Sequence, residues 1–170
     1  QGLVICLKDC LDGMQILPEN RLRVYAGVTM TRAAVFAANH GLSGLEFAHG
    51  IPGTVGGGVY MNAGAYGGEI CQVCTQVCVM DMDGNQKLLS NAEMGFSYRN
   101  SRIQQGNAIV LFADFQLQPQ PEVAIREKMQ ELASVKKPTN APIEQPEIIK
   151  VPTTRAAARA TLDIAVDDDE

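Results

Sequence analysis

The most distinctive stretch of the chain is residues 50–69, which has the sequence GIPGTVGGGVYMNAGAYGGE. Nine of these 20 residues are Gly or Pro, so backbone geometry dominates the segment. Glycine has no Cβ, which lets main-chain N–H groups approach a ligand closely and lets the backbone adopt positive φ. A row of exposed N–H groups suits a phosphate or the carbonyl and ring-nitrogen acceptors of a cofactor. The segment therefore suggests a backbone-lined binding loop, although composition alone favours a purely structural turn.

Two well-known nucleotide-binding loops do not match this stretch. A P-loop needs Lys followed by Ser or Thr after its glycines, and no such pair follows here. The dinucleotide fingerprint G-x-G-x-x-G also fails, because Met61 stands where the third glycine would follow Gly56 and Gly58. The ligand class is therefore left open by the glycines themselves.

Composition narrows the class of protein. The 170 residues are 46% hydrophobic and contain no Trp, and a chain of this length supports one domain or two small ones. The net charge of −5 argues against nucleic acid or an anionic membrane as the main partner, because both select for dense Lys and Arg. No apolar run approaches the roughly 20 residues of a membrane span, and no leader is visible, although the chain opens on Gln1 rather than Met.

Five cysteines are too few for a disulfide scaffold, so we predict reduced thiols in a cytoplasmic protein.

The cysteines and histidines do not predict a metal site. Cys71, Cys74 and Cys78 follow one another at short spacing, which invites comparison with a zinc or iron–sulfur motif. On a strand, Cys74 and Cys78 would share a face but lie about 13 Å apart, and Cys71 would face the other way. His40 and His49 have no Cys or carboxylate partner at ligand spacing. We therefore predict that the cysteines pack as small hydrophobic residues and that no metal is bound.

Hydrophobic periodicity and turn signals predict an α+β domain with several antiparallel strands and two packing helices. Thr31 is the predicted N-cap of the first helix and Gly41 its stop, and a long Gly-rich connection is predicted over Gly41–Gly68. Asp83 and Gly84 predict a hairpin turn. The predicted strands are Leu3–Leu7, Leu22–Tyr25, Ile70–Met82, Gln86–Leu89 and Ala108–Leu117, and the predicted helices are Arg32–His40 and Pro121–Val135.

Glycine and proline divide the chain into two parts. All 16 glycines lie at or before Gly106, whereas four of the eight prolines crowd between Pro138 and Pro152. We therefore predict one folded domain over residues 1–135 and a divergent Pro-rich, acidic tail over residues 136–170. Within that tail only Thr154–Ile164 has a composition compatible with a helix, and the closing acidic run is typical of a solvated end.

Two motifs in the right order resemble a known enzyme family. The segment Gly41–Glu69 is similar to the flavin-binding signature of UDP-N-acetylmuramate dehydrogenase, also called UDP-N-acetylenolpyruvoylglucosamine reductase. Further along, Phe96–Ser101 has the sequence FSYRNS, which matches the family's F-x-Y-R-x-S motif. The resemblance covers roughly Gly2 to Val135. It implies the second FAD-binding lobe of an α+β fold of the vanillyl-alcohol-oxidase/PCMH-like type, with an antiparallel sheet and packing helices.

The resemblance also implies a reaction. Members of the family use FAD and NADPH to reduce UDP-N-acetylglucosamine enolpyruvate to UDP-N-acetylmuramate, in the cytoplasmic synthesis of peptidoglycan precursors. The expected ligands are therefore FAD, NADPH as co-substrate and a UDP-sugar enolpyruvyl ether. The oligomeric state is not implied by any residue of this sequence.

Roles for individual residues follow from the same resemblance. Arg99 matches the family's catalytic arginine, a planar cation suited to stabilising charge on the substrate carboxylate, and a surface salt bridge is the ordinary alternative for a lone Arg. Tyr98 would bind substrate beside Arg99, with a place in the hydrophobic core as the alternative. The residues expected to contact FAD are Ile51, Pro52, Gly53, Thr54, Val55, Gly56, Gly57, Gly64 and Ile109.

The chain departs from the family pattern on both sides of the matching region. The N-terminal flavin lobe expected before Gly2 is absent, and the expected motif S-A-G-S-x-F-K, whose serine protonates the substrate, is replaced after the last helix by the unrelated sequence of residues 139–146. No counterpart of that serine or of the family's catalytic glutamate is assignable. Two other hypotheses therefore stand beside the reductase: a catalytically incompetent flavin- or nucleotide-binding remnant, and a structural α+β domain without a ligand.

Overall fold

The structure, a computed structural model, describes Leu7, residues 10–106 and residues 108–134. Its strands are β1 Met14–Leu17, β2 Arg21–Tyr25, β3 Leu42–Ser43, β4 Gly64–Ala65, β5 Gly68–Glu69, β6 Cys74–Asp81, β7 Gln86–Ser90, β8 Ala108–Gln116 and β9 Gln118–Pro119. Its α-helices are α1 Met30–Asn39, α2 Val55–Tyr60, α3 Ile70–Val73, α4 Asn91–Met94 and α5 Glu122–Ser134, and short 3₁₀ helices occupy Glu46–Gly50 and Arg102–Gln105.

One antiparallel sheet with the order β1–β2–β8–β6–β7 forms the centre of the fold. In its register, Leu22 pairs with Phe115 and Val77 pairs with Ala113, and all four side chains are buried. Because paired residues of an antiparallel sheet share a face, these strands present a common apolar surface. Buried side chains of α1, α2 and α5 complete the hydrophobic core against it. The predicted α+β class, with an antiparallel sheet and packing helices, is confirmed.

The first helix begins earlier than predicted. Thr29 is its N-cap, because the Thr29 hydroxyl oxygen accepts the Arg32 N–H at 3.2 Å. The predicted cap at Thr31 is therefore wrong: Thr31 already lies inside the helix, and its hydroxyl donates to the His49 carbonyl at 2.8 Å. The predicted stop is confirmed, since Gly41 follows the helix with a φ of +65°.

The long Gly-rich connection predicted over Gly41–Gly68 contains regular elements that the sequence did not predict. It contains β3, a 3₁₀ helix, α2 and β4. The helix α2 includes three glycines, which are poor helix formers by intrinsic propensity. It forms because Val55 and Val59 bury completely against the core, so tertiary packing outweighs propensity.

The strand predicted over Ile70–Met82 is shorter in the structure. Its first four residues form α3 instead, which begins at a capping box between Glu69 and Gln72. The return strand and the hairpin turn agree with prediction, because Gly84 adopts a φ of +85° and its N–H donates to the Asp81 carbonyl at 3.2 Å.

A β-bulge corrects the predicted placement of the cysteines. The register of β6 against β8 shifts between Cys74 and Gln76, which reverses the alternation of side chains along the strand. Cys74 consequently lies in the hydrophobic core, whereas Cys78 pairs with Phe112 on the opposite face of the sheet. The prediction that Cys74 and Cys78 share a face is wrong for this reason. Within the described ranges, no three His, Cys, Asp or Glu side chains are grouped so that they could hold a metal ion.

Some predictions fall where the structure gives no description. These are the strand at Leu3–Leu7 apart from Leu7 itself, the last residue of the second predicted helix, and the tail from Lys136 with its helix-compatible segment. The boundary between residues 135 and 136 therefore stays a prediction. Among the helices that the structure describes, none has the length and apolar character needed to cross a membrane.

Candidate functional site

The glycine-rich loop is anchored to the connection between β2 and α1. Thr54 pairs with Thr29 as an isolated antiparallel bridge. Beside this bridge, the Met30 N–H donates to the Gly53 carbonyl at 3.0 Å. These contacts tie the loop to the start of the first helix, and most ligand sites are largely formed in this way before the ligand binds.

Three amides of the loop are already hydrogen-bonded within the protein. The Val55 N–H donates to the Val28 carbonyl at 2.8 Å, the Gly56 N–H donates to the Ala26 carbonyl at 2.9 Å, and the Gly58 N–H donates to the Thr54 carbonyl at 2.8 Å. The expectation that the N–H groups of the loop are exposed is therefore wrong at these three positions. The reason is that the segment folds into a helix docked on its own core, where buried N–H groups must be paired.

The glycines of this loop fall into two groups by what surrounds them. A Cβ added at Gly56 would lie 2.9 Å from the Cβ of Ala26, so Gly56 is required for close packing. A Cβ added at Gly57 would meet only the hydroxyl oxygen of Thr54, at 3.9 Å, and one added at Gly53 would meet nothing within 4 Å. Gly53 also has a φ of +115°, which few other residues adopt. The outward side of the loop is therefore bare backbone at Gly53 and Gly57.

The other residues predicted to contact the cofactor differ in exposure. Ile51 is half-buried and packs against the hydrophobic core, whereas Pro52 is exposed. Thr54 is the N-cap residue of α2, but its side chain makes no capping hydrogen bond. Ile109 is half-buried on β8, where it pairs in register with Met80.

Ser97 to Asn100 form a tight turn, named here the Arg99 turn. The Ser97 N–H donates to the Asn100 carbonyl at 3.0 Å, and the Asn100 N–H donates to the Ser97 carbonyl at 3.1 Å. Tyr98 and Arg99 occupy the tip, and Arg99 has a φ of +54°. A positive φ at the second tip position normally selects Gly or Asn, so a long side chain there is an uncommon choice. Such an outlier motivates a functional hypothesis for Arg99.

The exposure of these two residues bears on the alternatives left open by the sequence. Tyr98 is 87% exposed, so its placement in the hydrophobic core is wrong. Within the described part of the chain Arg99 forms no ion pair, and its guanidinium carbon lies 6.0 Å from the centre of the Tyr98 ring. The guanidinium is thus not committed to a surface salt bridge with any described residue.

An open cleft of about 190 Å³ brings part of the predicted site together. Three residues predicted from the sequence line it, namely Gly64, Tyr98 and Arg99. The whole lining is Asn62, Gly64, Ala65, Gly67, Gly68, Glu69, Tyr98 and Arg99. The residues Ile51–Gly57 are not part of this lining, so the glycine loop and the cleft are two parts of the candidate site.

Sequence reasoning missed two polar residues of the cleft, Asn62 and Glu69. Asn62 is 3% exposed and Glu69 is half-buried. The sequence did offer a signal for them, because Asn62 and Glu69 are the only amide and the only carboxylate side chains in residues 62–69. Next to them, burial raises the pKa of the Cys71 thiol, and the carboxylate of Glu69, 3.6 Å from its sulfur, raises it further. Cys71 is therefore a neutral thiol near pH 7 and not a nucleophile.

Comparison with known proteins defines the class. The sequence profile described as FAD binding domain matches residues 1–90, and the chain belongs to that family. This agrees with the fold, which is an antiparallel sheet with packing helices.

Relatives narrow the family further. UDP-N-acetylenolpyruvoylglucosamine reductase of Lactobacillus acidophilus is 46% identical over 145 residues, which cover 85% of this chain and 48% of that protein. The enzyme of the same name from Lactococcus lactis is 42% identical over 146 residues, covering 86% and 48%. The crystal structure of UDP-N-acetylenolpyruvylglucosamine reductase from Thermus caldophilus is similar with a TM-score of 0.61 and 37% identity, covering 65% of this chain and 41% of that one.

The resemblance to the UDP-N-acetylenolpyruvoylglucosamine reductases that the two sequence motifs predicted is thereby confirmed. The chain spans about half the length of the curated relatives that it matches.

Proposed function

We propose that this chain is the part of a UDP-N-acetylenolpyruvoylglucosamine reductase that holds FAD on its glycine-rich loop and presents Arg99 to the substrate. NADPH as co-substrate, a role in peptidoglycan precursor synthesis and a cytoplasmic location belong to the same proposal. Its support is the identity of 42–46% to reductases of that name, together with the FAD binding domain match.

The observation that carries the proposal is the shared cleft. Gly64, from the glycine-rich motif, and Arg99, from the second motif, line the same open volume although 35 positions separate them in the chain (99 − 64). Arg99 reaches it from a left-handed position that costs backbone energy, on the order of 1–3 kcal/mol. A cost of this kind is retained where the surrounding structure fixes the conformation and where the strain is part of a function.

The loop residues fit a flavin nucleotide on the outward side of α2. Gly53 and Gly57 leave bare backbone there, which allows a flat ring or a phosphate to approach more closely than any side chain would permit. The residues that would hold the cofactor are Ile51, Pro52, Gly53, Thr54, Val55, Gly56, Gly57, Gly64 and Ile109. Gly56 would contact the cofactor through atoms other than its N–H group, which is already paired, whereas Val55 is 1% exposed and would support the loop from the core. When bound, FAD supplies the hydride chemistry that protein side chains lack.

Arg99 would act on the substrate and not on the cofactor. Reduction of an enolpyruvyl ether places negative charge on the carbon beside a carboxylate, and the charge spreads onto the carboxylate oxygens. A permanently charged, planar guanidinium is the side chain best suited to bind both oxygens. Two backbone hydrogen bonds between Ser97 and Asn100 hold the turn that carries this side chain before substrate arrives, which limits the reorganisation needed during the reaction. The exposed ring of Tyr98 would border the same substrate.

A second candidate function is flavin or nucleotide binding without turnover. It is favoured by one specific observation: nothing in the 170 residues matches the motif S-A-G-S-x-F-K that carries the proton-donating serine of the family. Without a proton donor, reduction of the sugar stops before it is complete. For the chain alone we therefore expect weak or absent turnover.

The deciding experiment starts from the purified 170-residue chain. Titration with FAD, followed by flavin fluorescence and by the absorption spectrum after gel filtration, is expected to give a stoichiometric yellow complex. A colourless protein that takes up no added FAD would support the ligand-free structural domain instead. Consumption of NADPH that depends on the enolpyruvyl sugar would favour a competent reductase over a binding remnant, and binding without consumption would favour the remnant.

A further inference from the structure

Asn62 is a buried polar residue at the junction between the glycine loop and the Arg99 turn. It is 3% exposed, and its backbone has a φ of +41°, in the left-handed region. A buried carboxamide must satisfy its two donor hydrogens and its acceptor oxygen inside the protein. The partners it uses therefore indicate what the residue holds in place.

Its three partners belong to two segments that are far apart in the chain, the Arg99 turn and the start of α3. The Asn62 Nδ2 donates to the Ser97 carbonyl at 3.0 Å and to the Glu69 carboxylate at 2.9 Å. The Asn62 Oδ1 accepts the Cys71 N–H at 3.0 Å. One carboxamide thus joins the Arg99 turn to Glu69, which lines the cleft, and to the first turn of α3.

The bond to Ser97 acts on the carbonyl that closes the Arg99 turn. That oxygen also accepts the Asn100 N–H, so Asn62 and the turn share one acceptor. A second bond reaches the turn from Gln104, whose Nε2 donates to the Arg99 carbonyl at 3.1 Å. The bond from Gln104 is exposed to water, whereas the bond from Asn62 is partly buried, and a hydrogen bond is electrostatically stronger where water is excluded. A strained conformation such as that of Arg99 persists only when such contacts over-determine it.

We propose that Asn62 is a positioning residue. Its carboxamide fixes the Arg99 turn relative to the Glu69 carboxylate, and so directs the Arg99 guanidinium towards the carboxylate of an enolpyruvyl acid in the cleft. The identity of that acid rests on the proposed function. The fixing of the turn does not depend on it.

Two substitutions separate the carboxamide from the backbone of this residue. Asn62→Gly keeps the left-handed conformation, which Gly adopts readily, and deletes all three side-chain bonds. Asn62→Asp keeps the acceptor for the Cys71 N–H but replaces the donor by an oxygen that faces the Glu69 carboxylate and the Ser97 carbonyl. Both variants should therefore release the Arg99 turn.

Asn91→Asp is the matched control. The Asn91 Nδ2 donates at 2.7 Å to the Cys71 carbonyl and at 2.7 Å to the Cys74 carbonyl. It is thus another partly buried carboxamide that holds the α3 region, but neither of its bonds goes to the Arg99 turn. Asn91→Asp removes the Nδ2 donor and so measures the general effect of disrupting a partly buried carboxamide near this site.

Hydrogen exchange of the Ser97 and Asn100 amides measures the order of the turn, because both N–H groups bond within it. Protection is normalised in each variant to that of the core amide of Val77, which removes any change in global stability. We expect about a tenfold loss of normalised protection in both Asn62 variants, and less than a twofold change in Asn91→Asp. Unchanged protection in Asn62→Gly would mean that only the backbone conformation matters, and an equal loss in all three variants would mean a general structural role. Either result would overturn the proposal.

Ligand binding by the same proteins separates this inference from the proposed function. If the unsubstituted chain binds FAD and UDP-N-acetylglucosamine enolpyruvate, Asn62→Asp should weaken binding of the sugar about tenfold and leave FAD affinity within about twofold. An equal loss of both affinities would contradict a positioning role. If the unsubstituted chain binds neither ligand, the proposed function fails, and the exchange measurement alone decides whether Asn62 fixes the turn.

Discussion

The Ser101 hydroxyl donates a 2.8 Å hydrogen bond to the carbonyl of Tyr60, and Ser101 is completely buried. Tyr60 is the last residue of α2, the helix formed by the glycine-rich loop, and Ser101 directly follows the Arg99 turn. The same carbonyl accepts a second bond, at 2.9 Å, from Gln104. A helix end leaves carbonyls without intrahelical partners, and here one partner is the last residue of the second sequence motif and the other lies in the 3₁₀ helix that follows it. The two motifs that define the family resemblance are therefore joined physically as well as by order in the chain.

The two groups of glycines give the first prediction. Gly56→Ala should lower the free energy of unfolding by about 1–3 kcal/mol, because its Cβ would overlap Ala26 and neither residue has a side chain that can move away. Gly57→Ala meets open space in a helix and should leave stability unchanged or raise it by about 0.5–1 kcal/mol. Urea denaturation of the two purified variants measures both effects.

Measuring the FAD affinity of Gly57→Ala tests whether this glycine contacts the cofactor. If the outward backbone of Gly57 faces the cofactor, Gly57→Ala should weaken FAD binding although the protein is no less stable. A Gly57→Ala chain that binds FAD as tightly as the unsubstituted chain would place the cofactor elsewhere.

Arg99 should show a conflict between stability and function. Glycine has no Cβ and adopts a φ of +54° without steric strain. The free energy of unfolding of Arg99→Gly should therefore stay unchanged or rise by up to about 1 kcal/mol. Arg99→Ala keeps the strain and is the matched comparison. A marked loss of stability in Arg99→Gly would show that the side chain has a structural role.

In a longer protein that carries this region and has reductase activity, both Arg99 variants should reduce the enolpyruvyl sugar about 10²–10³ times more slowly. Reduction of FAD by NADPH should largely survive, because Arg99 is assigned to the substrate carboxylate. Stopped-flow measurement of the two half-reactions separates them. An equal loss in both would contradict the assigned role.

The pair of Arg23 and Asp114 predicts acid sensitivity. Burial acts to raise the pKa of Asp114, but hydrogen bonds from Arg23 at 2.7 and 2.8 Å and from Gln76 at 2.7 Å outweigh it and hold that pKa below its ordinary value of 3.8. The folded protein therefore binds this proton more weakly than the unfolded chain does. The stabilisation is present in full above the unfolded-state pKa and is lost as the pH falls through the lower, folded-state pKa.

Asp114→Asn tests this assignment. It should lower the free energy of unfolding at pH 7 by roughly 2 kcal/mol, less than for a fully buried pair because Arg23 still reaches water. It should also flatten the loss of stability below pH 4 that urea titrations of the unsubstituted chain are expected to show. The control is Asp12→Asn, which removes an exposed ion pair with Arg32 and should change stability by less than about 0.5 kcal/mol. If Asp114→Asn loses stability below pH 4 as steeply as the unsubstituted chain, other carboxylates cause the acid sensitivity.

Thiol reactivity should differ sharply between two cysteines. Cys10 is exposed, whereas burial raises the pKa of Cys74 to about 12 and the side chain is 3% exposed. Because the thiolate is the reactive form, we expect an alkylating reagent at pH 8 to modify Cys10 within minutes and Cys74 only after unfolding. Peptide mass spectrometry with and without urea measures this. Rapid labelling of Cys74 in the folded chain would mean that the core opens at β6.

The local signals were sufficient for much of the architecture. Alternation at Leu22 and Val24, the turn at Asp83 and Gly84, and the apolar run from Ala108 each depend on neighbours within a few residues, and the corresponding strands and turn are present. The same locality explains the errors. Thr29 and Thr31 are both acceptable N-caps by residue type, and only the antiparallel bridge from Thr29 to Thr54 decides which one ends the extended segment.

By itself, the sequence determined the α+β class, the two motifs and the family to which they belong, because these depend on residue identity and order. Tertiary structure alone decided which glycines pack and which are open, since Gly56 meets Ala26 from another element whereas Gly57 meets no other element. It also decided that Asn62 joins the turn at Ser97 to the cleft. Contacts between residues 35 positions apart, such as this one, arise only when the chain is folded, and no local pattern encodes them.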